Sequence, residues 1–278
     1  MKKQLIFTFT FVFLLLIPFL GFCDEWQDLV EHKAKGSINW SKGVIQAKGI
    51  GAPPEKLNGN PNARSTALKA AKLDAYRKIL EVIKKVRIDG NTLVGDYAAE
   101  NDIIMSKIES MVQSAEVVKK EYLSDGTVEI TMNMNLHGGF SQLVLPEDIR
   151  SLESIKPVTP AGNSSSFYTG MVVDARGLKA MPVMSPKILD ENSQEVYGPA
   201  FVSREYAVQR GLNGYAKNLA AAQSNQRVSD NPLTVKGLRT EGTGRCNIVI
   251  SNADASKLRG ASENLIFMKK CRVMIVVE

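Results

Sequence analysis

The chain is poor in the residues from which catalytic and metal-binding sites are most often built. Its 278 residues include only two histidines, His32 and His137, and three cysteines. The histidines are far apart in the sequence, no cysteine pair has the C-x-x-C spacing, and no local pattern supplies the orienting carboxylate of a Ser-His-Asp triad. We therefore expect both histidines on the surface and predict a protein that is not an enzyme and uses no metal or other cofactor.

Long runs of one charge are also absent. The chain has 35 Lys and Arg and 29 Asp and Glu residues, which give a formal charge of +6. The two signs alternate along the sequence, as on ordinary solvated surfaces. Because nucleic-acid binding needs a concentrated basic region, the charge pattern excludes nucleic acid as an expected partner.

What the sequence does have is an export signal. Lys2 and Lys3 precede an apolar run over residues 5–20, and Gly21 and Cys23 place small residues at positions −3 and −1 of a cleavage after Cys23. This arrangement is typical of a bacterial secretory signal peptide. The run is shorter than the roughly 20 apolar residues that span a bilayer. We predict that residues 1–23 are a signal peptide and that the protein is periplasmic.

Two fates of Cys23 fit this signal. Simple cleavage beside it gives a soluble periplasmic protein, and we favour this outcome because Phe22 is bulky for the residue directly before a lipid-modified cysteine. Lipidation of Cys23 is the alternative, and it would tether the protein to a membrane as a lipoprotein.

The two remaining cysteines, Cys246 and Cys271, each open an apolar segment near the end of the chain. An even pair in an oxidising compartment favours a disulfide. We predict that Cys246 and Cys271 join neighbouring strands, and that the closed loop contributes roughly 3 kcal/mol to stability.

The sequence divides into a short arm and two α+β domains. Residues 24–37 form a polar arm. Its pattern allows either a short amphipathic helix near residues 25–35 or a solvated arm that packs one tryptophan. In the first domain, residues 38–145, periodicity predicts a strand over 43–51, helices over 63–87 and 102–113, and a hairpin with arms 116–122 and 127–136 around Asp125-Gly126. The order strand, helix, helix, strand, strand predicts two helices on one face of an antiparallel sheet.

A Pro-, Gly- and Ser-containing linker over residues 146–166 leads to the second domain, residues 167–278. Its patterns predict a mixed α+β domain with strands over 167–173, 233–238, 246–251 and 271–277, a hairpin over 186–197, and helices over 205–223 and 253–260. Each half has its own apolar faces, so we expect the two halves to fold separately.

Part of the first domain resembles a known family. The resemblance is carried by Ala47-Lys48-Gly49 in the first strand, by the helix sequence NARSTALKAAKLDAYRKIL at residues 62–80, and by Asp125-Gly126-Thr127-Val128 in the hairpin. Residues from about 40 to 140 resemble the LPP-twenty-type envelope lipoprotein family and are also similar to the N-terminal domain of the flagellar assembly protein T family. The resemblance implies a small α+β domain of the bacterial envelope and no active-site residue. It implies other envelope proteins, flagellar ring components or further copies of the chain as partners.

Asp174 and Arg176 form the best candidate polar site. They follow an apolar strand in the sequence YTGMVVDARG, where residues two apart share a face and strand ends often contact ligands. A local salt bridge or turn hydrogen bond is the alternative to a ligand site, and it is the interpretation that we favour. The sequence as a whole therefore predicts a non-enzymatic envelope protein that acts through assembly. The alternative function is a periplasmic protein that binds a small ligand or peptidoglycan.

The export signal generates a first testable prediction. The protein recovered from the periplasmic fraction should begin near Asp24, and N-terminal sequencing or intact mass will show this. Radiolabelled palmitate should not be incorporated. Palmitate incorporation that is lost in the Cys23→Ser variant would contradict simple cleavage and identify a lipoprotein.

Overall fold

The computed structural model describes residues 28–57, 60, 62–146, 149, 168–260 and 262–278. Cys23, the signal peptide and most of the linker lie outside these residues. The fold is α+β with two sheets, one in each half of the chain, and this confirms the predicted fold class. In the part of the chain that is described, no helix has the length and apolar character needed to cross a membrane.

The first sheet has five antiparallel strands in the order β1-β2-β3-β5-β4. Its strands are β1 Val30–Lys33, β2 Gly36–Asn39, β3 Val44–Gly51, β4 Glu116–Tyr122 and β5 Val128–Asn135. The helices of this half are α1 Ala63–Ile83, α2 Val94–Ala99, α3 Asp102–Gln113 and α4 Gly139–Val144, with a 3₁₀ turn at Glu55–Leu57. The predicted helix over residues 102–113 and the predicted hairpin at Asp125-Gly126 are confirmed.

The prediction of a helical arm is wrong for its described part. Residues 30–39 form the hairpin β1–β2, which pairs with the first half of β3. Ile38 lies opposite Ile45 and is fully buried. The first domain therefore begins before residue 38. Local propensity is overridden because β2 pairs with the first half of β3 and buries Ile38.

Close contact between α1 and the sheet depends on two glycines in β3. Alternate residues of β5 and β3 face the helix, as the sequence pattern predicts. At Gly49 and Gly51 the helix backbone comes so near that a Cβ would overlap the carbonyl oxygens of Ala71 and Ala67. The alanine stripe of α1 therefore lies directly on bare strand backbone.

Two side chains of α1 occupy the edge of β3 beyond the point where β2 stops pairing. The amide of Ile50 donates to Asp74 Oδ2 at 2.9 Å, and Lys78 Nζ donates to the carbonyl oxygen of Lys48 at 2.9 Å. Asp74 and Lys78 also form a salt bridge of 2.7 Å. We call this arrangement the edge clasp.

The second sheet is mixed, with seven strands in the order β8-β7-β11-β10-β6-β12-β9. Its strands are β6 Gly170–Asp174, β7 Ile188–Leu189, β8 Glu195–Tyr197, β9 Gly214–Ala216, β10 Pro232–Glu241, β11 Asn247–Ile250 and β12 Val273–Val276. The neighbours β10, β6, β12 and β9 are parallel, and β10 pairs antiparallel with β11. The helices are α5 Arg204–Arg210, α6 Leu219–Gln223, α7 Asn252–Arg259 and α8 Ser262–Lys269, with a 3₁₀ turn at Pro199–Phe201.

The predicted helix over residues 205–223 is wrong in its centre. Helix α5 ends at Gly211, whose φ of +75° suits glycine. The next residues form β9, where Tyr215 and Ala216 pair with β12. Two glycines in the sequence already weaken a helix here, and pairing at the sheet edge decides the outcome. Helix α8 had not been predicted.

The two halves meet along an interface that we call the seam. The amides of Met184 and Ser185 donate to the carbonyl oxygens of Arg87 and Ile88 at 3.0 and 2.8 Å. Trp40 packs edge-to-face on Tyr215 with 5.9 Å between ring centroids. One cluster of buried apolar side chains runs through both halves. Separate folding stays a prediction, and either half alone would expose these groups.

The bare backbone under α1 generates a second prediction. In Gly49→Ala, the new Cβ would lie 2.5 Å from the amide nitrogen of Ala75, so strand and helix must separate. We expect the free energy of unfolding to fall by roughly 2–3 kcal/mol, measured by urea denaturation. Gly139→Ala is the control, because its Cβ would meet only Met111 Cε at an ordinary 3.5 Å. Equal midpoints for both variants would contradict this packing.

Candidate functional site

Asp174 and Arg176 lie together at the carboxyl end of β6, but they bind each other. Arg176 donates from Nε to Asp174 Oδ1 at 2.8 Å and from Nη2 to Oδ2 at 2.7 Å. These hydrogen bonds lower the pKa of Asp174 and raise that of Arg176. A ligand would have to compete with a two-bond ion pair. Binding by these residues stays a prediction, and the geometry is that of the local salt bridge named as the alternative.

The predicted disulfide is wrong in the structure, where Cys246 and Cys271 are both free and buried. Each cysteine does precede a strand, but β10 and β6 lie between β11 and β12. Strands are spaced about 4.8 Å apart, so three spacings far exceed the Cα separation of up to about 7 Å that a disulfide allows. Sequence patterns locate strands along the chain without giving their order in a sheet.

Burial makes both thiols unreactive. Burial raises the pKa of Cys246, and it raises the pKa of Cys271 to about 11. Thiolates are the reactive form of cysteine, so neither side chain is a nucleophile near neutral pH. Among the described residues, no three His, Cys, Asp or Glu side chains are grouped to hold a metal ion.

His137 lies in the seam, and the prediction of a surface histidine is wrong for it. Its ring stands between Gly43 of the first half and Gly211 of the second, and a Cβ on Gly211 would lie 2.8 Å from His137 Cε1. His137 Nδ1 is buried and has no hydrogen-bond partner among the described residues. Burial first, and then the positive charge of Arg227, lower its pKa to about 4. The partner glycine is too distant in sequence for local patterns to reveal this site. His32 is exposed, as expected.

The positive charge near His137 belongs to Arg227, whose guanidinium group is held by backbone carbonyl oxygens. Its Nη1 donates to the carbonyl oxygens of Gly211 at 3.2 Å and Cys271 at 2.9 Å, and its Nη2 donates to that of Arg210. The guanidinium therefore binds carbonyls at the end of α5 and in the turn before β12, where a positive charge is favourable. Its role is structural, and it holds a fixed positive charge beside His137.

A cleft of about 390 Å³ opens on the other side of His137. Strand β4 first pairs at Glu116 with Asn133, so the last residues of β5 lack a neighbour there. The lining includes Met111, Ser114, Glu116, Asn133 and Asn135. Its volume falls in the range of ligand pockets, and sequence reasoning did not find it because its walls come from five separate elements, β3, α3, β4, β5 and α4.

The outer surface of α1 and the surface of α2–α3 carry opposite charges. On α1, Lys69, Leu73 and Arg77 recur on one exposed side with Lys72 beside them, and exposed Lys85 lies in the turn that follows the helix. We call these five residues the basic strip. The acidic strip consists of Asp96, Glu100, Asp102, Ile103 and Glu109, all exposed.

Neither strip is neutralised within its own molecule. No salt bridge in the described part of the chain involves a charged residue of either strip. Opposite charges do lie near both strips. Asp74, which interacts electrostatically with Arg77, and Glu81, which pairs with Lys84 at 3.2 Å, lie beside the basic strip, and Lys107 lies beside the acidic strip. Leu73 is 56% exposed and Ile103 is 66% exposed. Each strip thus surrounds an exposed aliphatic side chain.

Comparison with known families gives two matches. Residues 31–142 match the family model described as the N-terminal domain of Treponema pallidum Tp0624, and residues 170–278 match the model described as its second domain. Both halves are similar to Tp0624 domains. The order of the two domains is the same, and the unmatched residues 143–169 include the predicted linker. No curated protein sequence matches the chain. The resemblance to the LPP-twenty-type and flagellar assembly protein T families stays a prediction.

The environment of His137 generates a third prediction. Its pKa of about 4 in the folded protein lies below the ordinary 6.5, so the unfolded chain binds the proton more tightly. Stability is therefore retained above pH 6.5 and is lost as pH falls from 6.5 towards 4, by at most about 1.4 kcal/mol per pH unit. His137→Phe, which cannot titrate, should lose less stability than wild type in that window, so the difference between the two stability profiles should change with pH.

Urea denaturation at several pH values measures this effect. His32→Phe is the matched control, because it makes the same replacement at an exposed position outside the seam. An effect common to both variants would not be due to the surroundings of His137. A His137→Phe profile parallel to that of wild type between pH 6.5 and 4 would show that the folded-state pKa of His137 is not lowered.

Proposed function

We propose that this protein is a non-enzymatic component of the bacterial cell envelope, exported to the periplasm, that acts by associating with other proteins. The observation that carries the proposal is the pair of uncompensated charged strips, each around an exposed aliphatic side chain. Contact with a partner would remove these two aliphatic side chains from water. Unpaired charges steer and orient the partner.

The sequence supplies the remaining support. The apolar run and small residues of positions 1–23 favour export, with lipidation of Cys23 as the alternative form of attachment. The resemblance of residues 40–140 to envelope lipoproteins and to a flagellar assembly family favours envelope complexes, flagellar rings included, as the setting. Asp174 and Arg176 bind each other, and burial favours the protonated form of both cysteine thiols. These observations fit a role without catalysis.

The cleft beside His137 favours a second candidate function. Its amide, hydroxyl and carboxylate groups, contributed by Asn133, Asn135, Ser114 and Glu116, are suited to a polar ligand such as a peptidoglycan fragment. This alternative requires saturable binding of such fragments by the purified protein. Association through the strips does not require it.

Photo-crosslinking in cells tests the proposed function. A benzophenone amino acid at Leu73 or Ile103 should give adducts with protein, because both side chains lie within the association surfaces. The same amino acid at Leu238, a leucine of the second half that is 45% exposed, is the control and should give few. Absence of protein adducts from both strips, or equal yields at all three positions, would refute association through these surfaces.

A further inference from the structure

We infer that the helical layer of the first domain is a self-complementary docking surface, and that its partner is a second copy of this chain. The inference rests on the proposed function and names the partner. It is carried by the arrangement of the two strips on one layer rather than by either strip alone.

The two strips lie side by side. Helix α3 contacts α1, and the amide of Gly95 at the start of α2 donates to the carbonyl oxygen of Lys84 at 3.0 Å. The basic strip thus runs along one helix of a layer whose neighbouring helices carry the acidic strip. A surface with a positive strip beside a negative strip complements itself after a two-fold rotation. In such an isologous pair, residue i meets residue j while j meets i.

The charges favour a protein copy over other occupants. An anionic membrane or polymer would be attracted by Lys69, Lys72 and Arg77 but repelled by Asp102 and Glu109 beside them. A second copy satisfies both signs together, as electrostatic complementarity requires. Leu73 and Ile103 lie within the opposed strips, where contact would remove aliphatic surface from water.

Part of the acidic strip also has a role within its own molecule. Asp96 and Asp102 lie in the first turns of α2 and α3, where a negative charge favours the helix dipole. Glu100 precedes the N-cap of α3 and Glu109 lies past its first two turns, and Lys69, Lys72 and Arg77 lie in the interior of α1. Helix stability does not account for these five charges.

Charge reversal in matched variants tests the inference. Lys69→Glu with Arg77→Glu removes the net positive charge of the basic strip and places two carboxylates in it. Asp102→Lys with Glu109→Lys removes the net negative charge of the acidic strip and places two ammonium groups in it. By sedimentation equilibrium at low salt, the exported wild-type protein should have twice the monomer mass and each double variant the monomer mass. An equimolar mixture of the two variants should recover the dimer. In wild type, raising the salt from about 0.05 to 0.5 M should weaken association at least about tenfold, because screening shortens the range of surface charges.

Lys56→Glu with Lys120→Glu is the control. Both lysines are exposed and lie outside the strips, so the same change in net charge should leave the dimer intact. Circular dichroism of every variant checks the fold. Dimers in either reversed variant alone, or no association in their mixture, would overturn the inference. A monomeric wild type with crosslinks from Leu73 to another protein would also overturn it while leaving the proposed function standing, whereas loss of all crosslinks would remove both.

Discussion

The arrangement of this protein depends on one guanidinium group, that of Arg87. Its Nη2 donates to both carboxylate oxygens of Glu31 at 3.1 and 3.0 Å, and its Nε donates to the carbonyl oxygen of Pro182 at 3.1 Å. Burial alone would raise the pKa of Glu31, but hydrogen bonds from Lys33 and Trp40 and the charge of Arg87 outweigh it and lower that pKa. A single side chain thus joins the β1–β2 hairpin, the end of α1 and the second half. Removing one member of this partly buried pair leaves a charge with fewer partners, which is costlier than losing a fully exposed ion pair.

Sequence reasoning succeeded where the determining contacts are local or repeat with a simple period. The alternation from Val128 to Met134 and the alanine stripe of α1 each encode one buried face, and Asp125-Gly126 encodes its own turn. Sequence reasoning failed where contacts between segments remote in the sequence determine the local structure. The hairpin β1–β2 exists because β3 offers a partner, and β9 exists because β12 does. The order of strands in the second sheet, which separates Cys246 from Cys271, follows from crossovers that no local pattern records.

The residues of the candidate sites also fall into some that sequence reasoning could predict and others that it could not. Asp174 and Arg176 were expected on one face because they are two residues apart on a strand, and the structure brings them together as an ion pair. His137 could not be recognised, because its surroundings come from Gly43, Gly211 and Arg227 in three separate segments. The charged strips could not be recognised from the sequence, because positive and negative residues alternate along it. The two signs separate only in the folded protein, where α1 and α3 expose different residues.

The edge clasp has a consequence for how this protein behaves among crowded neighbours. Unpaired strand edges are templates on which other chains extend a sheet, and that growth is difficult to reverse. In the stretch of β3 that β2 leaves uncovered, Asp74 and Lys78 already occupy the amide of Ile50 and the carbonyl oxygen of Lys48. An incoming strand would first have to displace a salt-bridged pair anchored on a long helix. This edge therefore resists the backbone-to-backbone growth that leads to fibres.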